Sequence, residues 1–503
     1  MSANQPAFQP PPAGEFLGHP RALWNLFGTE FWERFMYYGM RAMLAVHIAA
    51  QFFAHLSGAE AREQASLTYG GFTSLVYMTG IAGGYVADRI LGYQRSIMLG
   101  GVLMAIGSFM LMAPDLTTFI IGLAVLVVGN GLFKPNISSM VGKLYAPGDA
   151  RRDSGFTIFY MGINAGALIA PIICATWIGQ KYGYRWGFFS AGMGMLLGLM
   201  IFQLLKGWLG HVGTAPKGKE GWGPVLQIAI AAALLVVPVY FLLSQSEVLA
   251  VVLGVMMAAL ALYFIWSGVK SGEKAQLHRY IAMLILFFAN ILFWSLFEQA
   301  GSSLNFLAQD HVKMPETTLF GWQPTFEIFQ SVNPVFIILL APLFASLWVK
   351  LDKADWNPSI PRKFAIGLLG AALGFYILVF AINNTADANQ NISWIWLTLT
   401  YLIHTMGELC LSPIGLAMVT KLARPQETGL AMGGWFLSIA MANFVAGRIA
   451  AIASGGAGEV ADRASALAHY GSTFNQLFWL GLGCAVVFFL LSPVINKLMH
   501  GVK

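Results

Sequence analysis

The chain has 503 residues, of which 57% are hydrophobic and only 10% are charged, and its net charge is +6 at pH 7. Soluble globular domains carry about 25% charged residues, so this composition excludes an ordinary water-soluble protein. The positive charge does not indicate a nucleic-acid partner, because the basic residues collect in particular loops between apolar stretches.

The first 22 residues form a polar, proline-rich stretch. They contain neither a basic start nor a cleavage-type segment, which argues against a secretory signal. For residues 1–22 we therefore expect a disordered cytoplasmic tail.

From residue 24 onward, apolar stretches alternate with short polar segments. Each apolar stretch has about 20 residues or more, the length at which an α-helix crosses about 30 Å of hydrocarbon. The sequence therefore predicts an all-α integral membrane protein in a lipid bilayer. We expect fourteen transmembrane helices, over residues 24–52, 65–88, 94–113, 117–143, 155–179, 185–206, 224–244, 247–269, 279–306, 323–349, 363–383, 392–420, 428–453 and 473–496.

Lysines and arginines are divided unevenly between alternate loops. Positive residues are retained on the cytoplasmic side of a membrane, and one set of loops holds most of them. The other set holds only Arg62, Lys181, Arg185, Lys313 and Arg463. This asymmetry predicts a multi-pass membrane protein with both termini in the cytoplasm.

The spans fall into two groups of six around an inserted pair. Polar stretches at 211–224 and 267–280 flank that pair, whose helices carry almost no charge. Corresponding spans of the two halves share features such as acidic residues in mid-helix, a symmetry typical of transporters with a site between repeated halves. We predict an N-terminal six-helix bundle at 23–209, a linker with two extra transmembrane helices at 210–276 and a C-terminal six-helix bundle at 277–503.

The segment GGYVADRILGYQRS, residues 83–96, joins the second and third spans. It resembles the cytoplasmic loop signature of the major facilitator superfamily. Asp88 suits a position near helix ends, while Arg89 and Arg95 remain on the positive side and the glycines allow close helix contact. The resemblance implies the major facilitator fold.

Charged residues also lie inside the predicted spans. A charge at the bilayer centre costs about 2.5 to 3.5 kcal/mol on insertion scales, so such residues usually face a cavity and pair. On the first span, at about 100° per residue, the charges share one helix face with Tyr37 and Tyr38. The intramembrane charges are Glu30, Glu33, Arg34, Arg41, Lys134, Glu298 and Glu408.

The depth of these charges predicts two gates. Arg41 and Glu298 fall in the outer half of the membrane, whereas Lys134 and Glu408 fall toward the centre and inner half. We expect an Arg41 to Glu298 salt bridge to close the outside and a Lys134 to Glu408 salt bridge to close the inside, each joining the two halves. A single intramembrane pair could instead be a structural staple.

The carboxyls of Glu30 and Glu33 are also suited to carry protons. Burial favours the neutral carboxyl, whereas the adjacent Arg34 favours the charged form, so movement of the guanidinium could switch proton affinity. This coupling step is a hypothesis of the sequence analysis.

The string EFWERFMYY, residues 30–38, looks like the ExxERFxYY motif of the proton-coupled oligopeptide transporters within the major facilitator superfamily. The extra helix pair is similar to that of bacterial members. Further matching segments cover both halves: GLFKPN at 131–136, FTIFYMGINAGAL at 156–168, FWSLFEQAGSSL at 293–304, FQSVNP at 329–334 and GELCLSPIGL at 407–416.

This resemblance implies proton-coupled symport of di- and tripeptides into the cytoplasm by alternating access, with the peptide in a central cavity between the bundles. Glu30, Glu33 and Arg34 would couple protons. Lys134 and Arg34 would meet the peptide carboxylate, and Glu408 the amino terminus. The side chains implied to line the cavity are Tyr37, Tyr38, Tyr77, Asn164, Trp294, Asn333, Ser412 and Trp435.

Several of these side chains also have a simpler interpretation. Asn164 and Asn333 could join helices, and Trp294 could be a packing residue. Animal members of the family use a histidine in the second span, where this chain has none. His404 lies one turn before Glu408 and could lower its affinity for protons when charged, but a lone helix histidine is more often only hydrogen-bonded.

Other functional classes fit less well. Transport of nitrate or another small anion, as in plant relatives, would not require the acidic partner Glu408. A channel would show symmetric pore segments, and an intramembrane enzyme would carry a motif such as HExxH or GxSxG. Cys174, Cys410 and Cys484 are spaced for neither a metal site nor disulfides, so we expect them to be packing residues. We also expect no metal or other cofactor, and a protein functional as a monomer.

Overall fold

The computed structural model describes residues 8–316, 323–455 and 462–502, and long α-helices dominate them. The helices of the first part are α1 (Arg21–Phe52), α2 (Gly58–Met78), α3 (Gly80–Val86), α4 (Tyr93–Met110), α5 (Leu116–Lys143), α6 (Arg151–Ala170), α7 (Gln180–Tyr182), α8 (Tyr184–Leu204) and α9 (Lys206–Leu209). π-Helical turns at Ala87–Leu91 and Pro171–Gly179 follow α3 and α6.

The remaining helices are α10 (Gly223–Ser244), α11 (Ser246–Lys270), α12 (Lys274–Phe297), α13 (Ser303–His311), α14 (Phe329–Lys353), α15 (Ile360–Thr385), α16 (Trp394–Leu422), α17 (Thr428–Gly455) and α18 (Arg463–Leu498). Short 3-10 turns lie at Glu298–Gly301 and Phe326–Ile328. The strands of the described residues are β1 (Glu15–Phe16), paired antiparallel with β2 (His19–Pro20), and β3 (Val312–Lys313), paired parallel with β4 (Ile392–Ser393).

Side-chain caps define where some of these helices begin. The Asp115 carboxylate accepts the Thr118 N–H over 2.8 Å before α5, and the Asp462 carboxylate accepts the Ser465 N–H over 2.7 Å before α18. The first amides of a helix have no partner within it, so a carboxylate at this position stabilises the helix start by about 1 kcal/mol.

Within the described residues, eleven helical segments are long and apolar enough to cross a membrane. Predicted spans 24–52, 65–88 and 94–113 are helical but are not among the eleven. Their helices are more polar, and α1 alone carries five charges in its first 21 residues. The structure therefore confirms a multi-pass helical protein, while the count of fourteen remains a prediction.

The chain forms two compact units. Unit 1 comprises Met1–Arg41 and Met78–Phe241, and unit 2 comprises Ala42–Tyr77 and Leu242–Lys503. The second part of α1, α2 up to Tyr77 and the inserted helix α11 group with the C-terminal sequence in unit 2, and the predicted boundaries at residues 209 and 276 remain a prediction.

In unit 1, the predicted tail contains an ordered hairpin. Its turn uses positive φ angles at Leu17 and Gly18. His19 Nδ1 lies 2.8 Å from the Tyr145 hydroxyl, and Arg151 forms an ion pair of 2.6 Å with Glu15. Residues 15–20 therefore differ from the disorder expected of 1–22, because long-range polar contacts hold them.

In unit 2, α2 and α17 cross at two glycines. A Cβ built on Gly70 would lie 2.6 Å from Gly447 Cα, so side chains at this crossing are excluded. Nearby, Asn305 donates to the Ala42 carbonyl over 2.9 Å. These contacts attach the second part of α1 and α2 to α13 and α17.

Candidate functional site

The polar face of α1 is a compact group of charges in unit 1. Arg34 donates from Nη2 to Glu33 Oε1 over 2.6 Å and from Nε to Glu33 Oε2, and its Nε also lies 3.1 Å from Glu30 Oε1. All three side chains are buried. Two carboxylates therefore share one guanidinium, and the group carries one excess negative charge when both are ionised.

Tyrosine rings extend this face toward Arg41. The Arg34 guanidinium carbon lies 5.4 Å from the Tyr37 ring centroid, and that of Arg41 lies 5.8 Å from the Tyr38 ring centroid. Cations at this distance are attracted by the ring faces. The structure thus confirms that these residues share one helix face, as the 3.6-residue period predicted.

Helix α5 brings two further polar groups to the α1 charges. Asn130 donates from Nδ2 to Glu33 Oε1 over 3.4 Å. One turn later, the half-buried Lys134 interacts electrostatically with Glu30. Asn130 was not among the predicted site residues, although an amide one turn before Lys134 in an otherwise apolar helix is a signal of a shared polar face.

Asn164 on α6 is buried, and its Nδ2 donates to the Tyr160 carbonyl of the same helix over 2.9 Å. The neighbouring glycines let α6 approach α1: a Cβ on Gly166 would lie 3.1 Å from Arg34 Cβ, and one on Gly162 2.8 Å from a Phe27 ring carbon. Gly162 and Gly166, four residues apart, lie on one face of α6 and allow this close packing.

In unit 2, the charged centre is Glu408 on α16. Asn333 of α14 donates from Nδ2 to Glu408 Oε2 over 2.9 Å and lies at the same distance from Thr405 Oγ1. Asn333 therefore joins two helices and also orients a carboxylate. Thr405 was not anticipated, because its contribution depends on the packing of α14 against α16.

The two predicted cavity tryptophans differ in environment. Trp294 is half-buried, and its Nε1–H has no hydrogen-bond partner among the described residues, so it is a free donor. Trp435 is only 2% exposed and packs against the rings of Phe287 and Phe364. Its ring therefore packs within unit 2, and its role as a cavity-lining side chain remains a prediction.

Tyr77 on α2 and Ser412 on α16, the remaining predicted cavity residues, are both half-buried. His404 is fully packed: its Nε2 lies 3.0 Å from the Ala371 carbonyl, and its ring contacts Phe297 and Phe375. This geometry agrees with the interpretation of His404 as a hydrogen-bonded packing residue.

The predicted gate residues are divided between the units. Arg41 and Lys134 belong to unit 1, whereas Glu298 and Glu408 belong to unit 2. Both proposed salt bridges therefore remain predictions. A different ion pair, which the sequence analysis missed, lies inside unit 2, where Arg62 Nη1 is 2.7 Å from Asp310 Oδ2.

Nothing in the described part of the chain groups three or more histidine, cysteine, aspartate or glutamate side chains as a metal site would require. The three cysteines are unpaired thiols, of which Cys174 and Cys410 are buried. The polar groups described above are ion pairs, amides and aromatic rings.

Comparisons with known proteins agree over nearly the whole chain. A family model described as the POT family matches residues 94–465. Peptide transporter YePEPT of Yersinia enterocolitica subsp. palearctica serotype O:3 is 37% identical, with 97% of each chain covered. Dipeptide and tripeptide permease B of Edwardsiella piscicida is 33% identical, with 96% of this chain and 97% of that protein covered.

Solved structures give the same result. The crystal structure of a POT peptide transporter in complex with sulfate has a TM-score of 0.83, with 35% identity and 98% of each chain covered. A POT family transporter in complex with 5-aminolevulinic acid has a TM-score of 0.80, with 33% identity and coverage of 97% of this chain and 99% of that one.

Proposed function

The chain belongs to the POT family of transporters, and from that premise we propose that it imports di- and tripeptides together with protons by alternating access. The single observation that supports this proposal is the set of charged side chains in the two units. Unit 1 has cations on α1 and α5, and unit 2 has a hydrogen-bonded carboxylate on α16.

The functional groups of a short peptide match these side chains. A zwitterionic peptide presents a carboxylate, an ammonium group and backbone amides. Arg34 and Lys134 would bind the carboxylate, since guanidinium and ammonium groups form charge-assisted hydrogen bonds with it. Glu408, oriented by Asn333, would bind the ammonium group, and the Trp294 indole N–H would donate to a peptide carbonyl.

Proton coupling would reside in the α1 group. Arg34 stabilises the ionised forms of Glu30 and Glu33, so a substrate carboxylate that draws the guanidinium away would favour protonation of these acids. Peptide and proton would then be carried together.

Alternating access would use the two predicted gates. An Arg41 to Glu298 bridge would form when the site is open to the inside, and a Lys134 to Glu408 bridge when it is open to the outside. A bound peptide would give each residue a new partner, since its carboxylate would bind Lys134 and its ammonium group would bind Glu408. Breaking the buried Lys134 to Glu408 ion pair would then cost less free energy.

The same proposal includes the topology. Fourteen transmembrane helices in a 6 + 2 + 6 order, both termini in the cytoplasm and a bacterial inner membrane would satisfy the distribution of basic residues between loops. Each chain carries both halves of the site, so a monomer would suffice.

Uptake of labelled dialanine into proteoliposomes tests the substrate class. We expect saturable uptake that unlabelled di- and tripeptides inhibit, whereas free alanine and nitrate leave it unchanged. Inhibition by nitrate but not by peptides would instead support a small-anion carrier. A Glu408→Gln variant, which keeps the side-chain shape but loses the charge, is expected to raise the KM for dialanine at least about tenfold.

A further inference from the structure

A buried polar cluster in unit 2 has no part in the function proposed above. Its centre is Glu427, which lies between α16 and α17 and is only 8% exposed. Oε1 accepts the hydroxyls of Tyr263 over 3.0 Å and Ser267 over 2.6 Å, and Oε2 accepts the hydroxyl of Tyr280. Arg424 donates to both oxygens, over 3.0 Å each.

The donors come from separate elements. Tyr263 and Ser267 belong to the inserted helix α11, Tyr280 belongs to α12, and Arg424 precedes Glu427 in the connection to α17. A carboxylate has about four lone-pair directions, and here all of them are used. Glu427 is therefore the point at which α11, α12 and the start of α17 are joined.

This carboxylate is not suited to carry a proton. Hydrogen bonds from Arg424, Ser267 and the two tyrosines lower the pKa of Glu427 to about 2, outweighing the effect of burial. The Glu427 carboxylate therefore remains ionised near neutral pH, and its role is to hold α11, α12 and the start of α17 together.

A second contact between α11 and α17 lies two turns further along α17. A Cβ built on Gly434 would lie 2.6 Å from Leu260 Cδ2 of α11 and 2.8 Å from Phe287 Cε2 of α12. A side chain at this position would force Leu260 and Phe287 to shift. The next residue is Trp435, and its position therefore depends on how α11 packs against α17.

Trp435 in turn supports the helix that carries Glu408. A Cβ on Gly415 of α16 would lie 2.1 Å from Trp435 Cη2, and the Trp435 ring packs against Phe287 at a centroid distance of 6.1 Å. Gly415 is two turns beyond Glu408 on the same helix. Displacement of Trp435 would thus move the part of α16 that carries the Glu408 carboxylate.

We infer that the inserted helix α11 is a buttress of the peptide site: Glu427 and Gly434 fix it to α17, and through Trp435 it positions the Glu408 segment of α16. Tyr263, Ser267 and Glu427 are positioning residues that do not themselves contact the peptide. The inference rests on the proposed function for its consequence in transport.

The test is dialanine transport by a Tyr263→Phe/Ser267→Ala variant in proteoliposomes. This change removes the two α11 donors and leaves Glu427 with Arg424 and Tyr280. Because Glu408 is displaced but still present, we expect KM to rise about fivefold while the maximal rate changes less than about twofold. Ser267→Thr, which keeps a hydroxyl, is expected to retain the wild-type KM.

The matched control is Glu247→Gln at the other end of α11. Glu247 also pairs with α17, through Arg448 at 2.5 Å, but its side chain is 81% exposed, so we expect a wild-type KM. If the double variant does not fold, the comparison of Ser267→Ala with Ser267→Thr decides the question.

An unchanged KM in a folded Tyr263→Phe/Ser267→Ala protein would overturn the inference, and so would an equal rise in Glu247→Gln. Failure of the proposed function is a separate result, because the wild-type protein itself would then not transport dialanine.

Discussion

Arg34 Nη2 and Glu33 Oε1 are 2.6 Å apart, and neither residue is more than 4% exposed. An isolated charge at such a position would be unfavourable, so each of these residues depends on the other. Glu30 competes for the same guanidinium, which gives the group two acids and one base. A ligand that attracts Arg34 therefore changes the environment of both carboxyls at once.

Glu30→Gln and Glu33→Gln test the coupling role of these acids. Each change keeps the side-chain size but removes a proton-binding group and a partner of Arg34. We expect uptake driven by a proton gradient to fall at least about tenfold. The reason is that loss of one partner from a buried ion pair costs more than about 1.4 kcal/mol, the free energy that corresponds to a factor of ten. Counterflow exchange, which needs no net proton movement, should survive.

The exposed Glu220→Gln serves as the control for loss of an acid on the same unit. Unchanged concentrative uptake in both Glu30→Gln and Glu33→Gln would remove these residues from proton coupling.

Asn130→Ala tests whether the α5 amide orients Glu33. Removal of a hydrogen bond to a charged group costs about 1.5 to 3 kcal/mol, although the 3.4 Å distance places this one at the lower end. We expect the initial rate of proton-driven uptake to fall about tenfold. Asn384→Ala, at an exposed position where the amide bonds only to its own helix, should behave as wild type.

Asn333→Ala tests the orientation of Glu408. The variant leaves Glu408 Oε2 without the donor seen at 2.9 Å, so the carboxylate is free to turn away from the peptide ammonium group. We expect the KM for dialanine to rise about tenfold, corresponding to about 1.4 kcal/mol of binding free energy, with no change in its dependence on the proton gradient. A wild-type KM would show that Asn333 only joins α14 to α16.

Gly70→Ala tests the crossing of α2 and α17. The new methyl group would lie 2.6 Å from Gly447 Cα, which forces the helices apart and should destabilise the protein by about 1 to 3 kcal/mol. No described atom lies within 4 Å of a Cβ at Gly254 on α11, so Gly254→Ala should leave the melting temperature in detergent unchanged or slightly higher. Equal melting temperatures for the two variants would contradict this packing.

The sequence was sufficient for features that depend on one helix. The shared face of Glu30, Arg34 and Tyr37 follows from the 3.6-residue period, and the motif EFWERFMYY identified the family before any geometry was known. Hydropathy likewise predicted helical segments, with ends that shifted by several residues.

Features that depend on helix packing were not predictable in the same way. Asn130 reaches Glu33 across 97 residues of sequence, and Tyr263 reaches Glu427 across 164. Nothing in the local pattern fixes which helices meet at such points. The packing of Trp435 was not predictable for the same reason, because a tryptophan in an apolar helix can face a cavity or a neighbouring helix equally well.

The central claim is that peptide and proton cross the membrane together. Purified protein in liposomes with a lumenal pH dye, at a negative internal potential set by potassium and valinomycin, tests it directly. Addition of external dialanine should acidify the lumen, free alanine should not, and Glu33→Gln should abolish the signal. Dialanine uptake by the wild-type protein without any acidification of the lumen would contradict the claim.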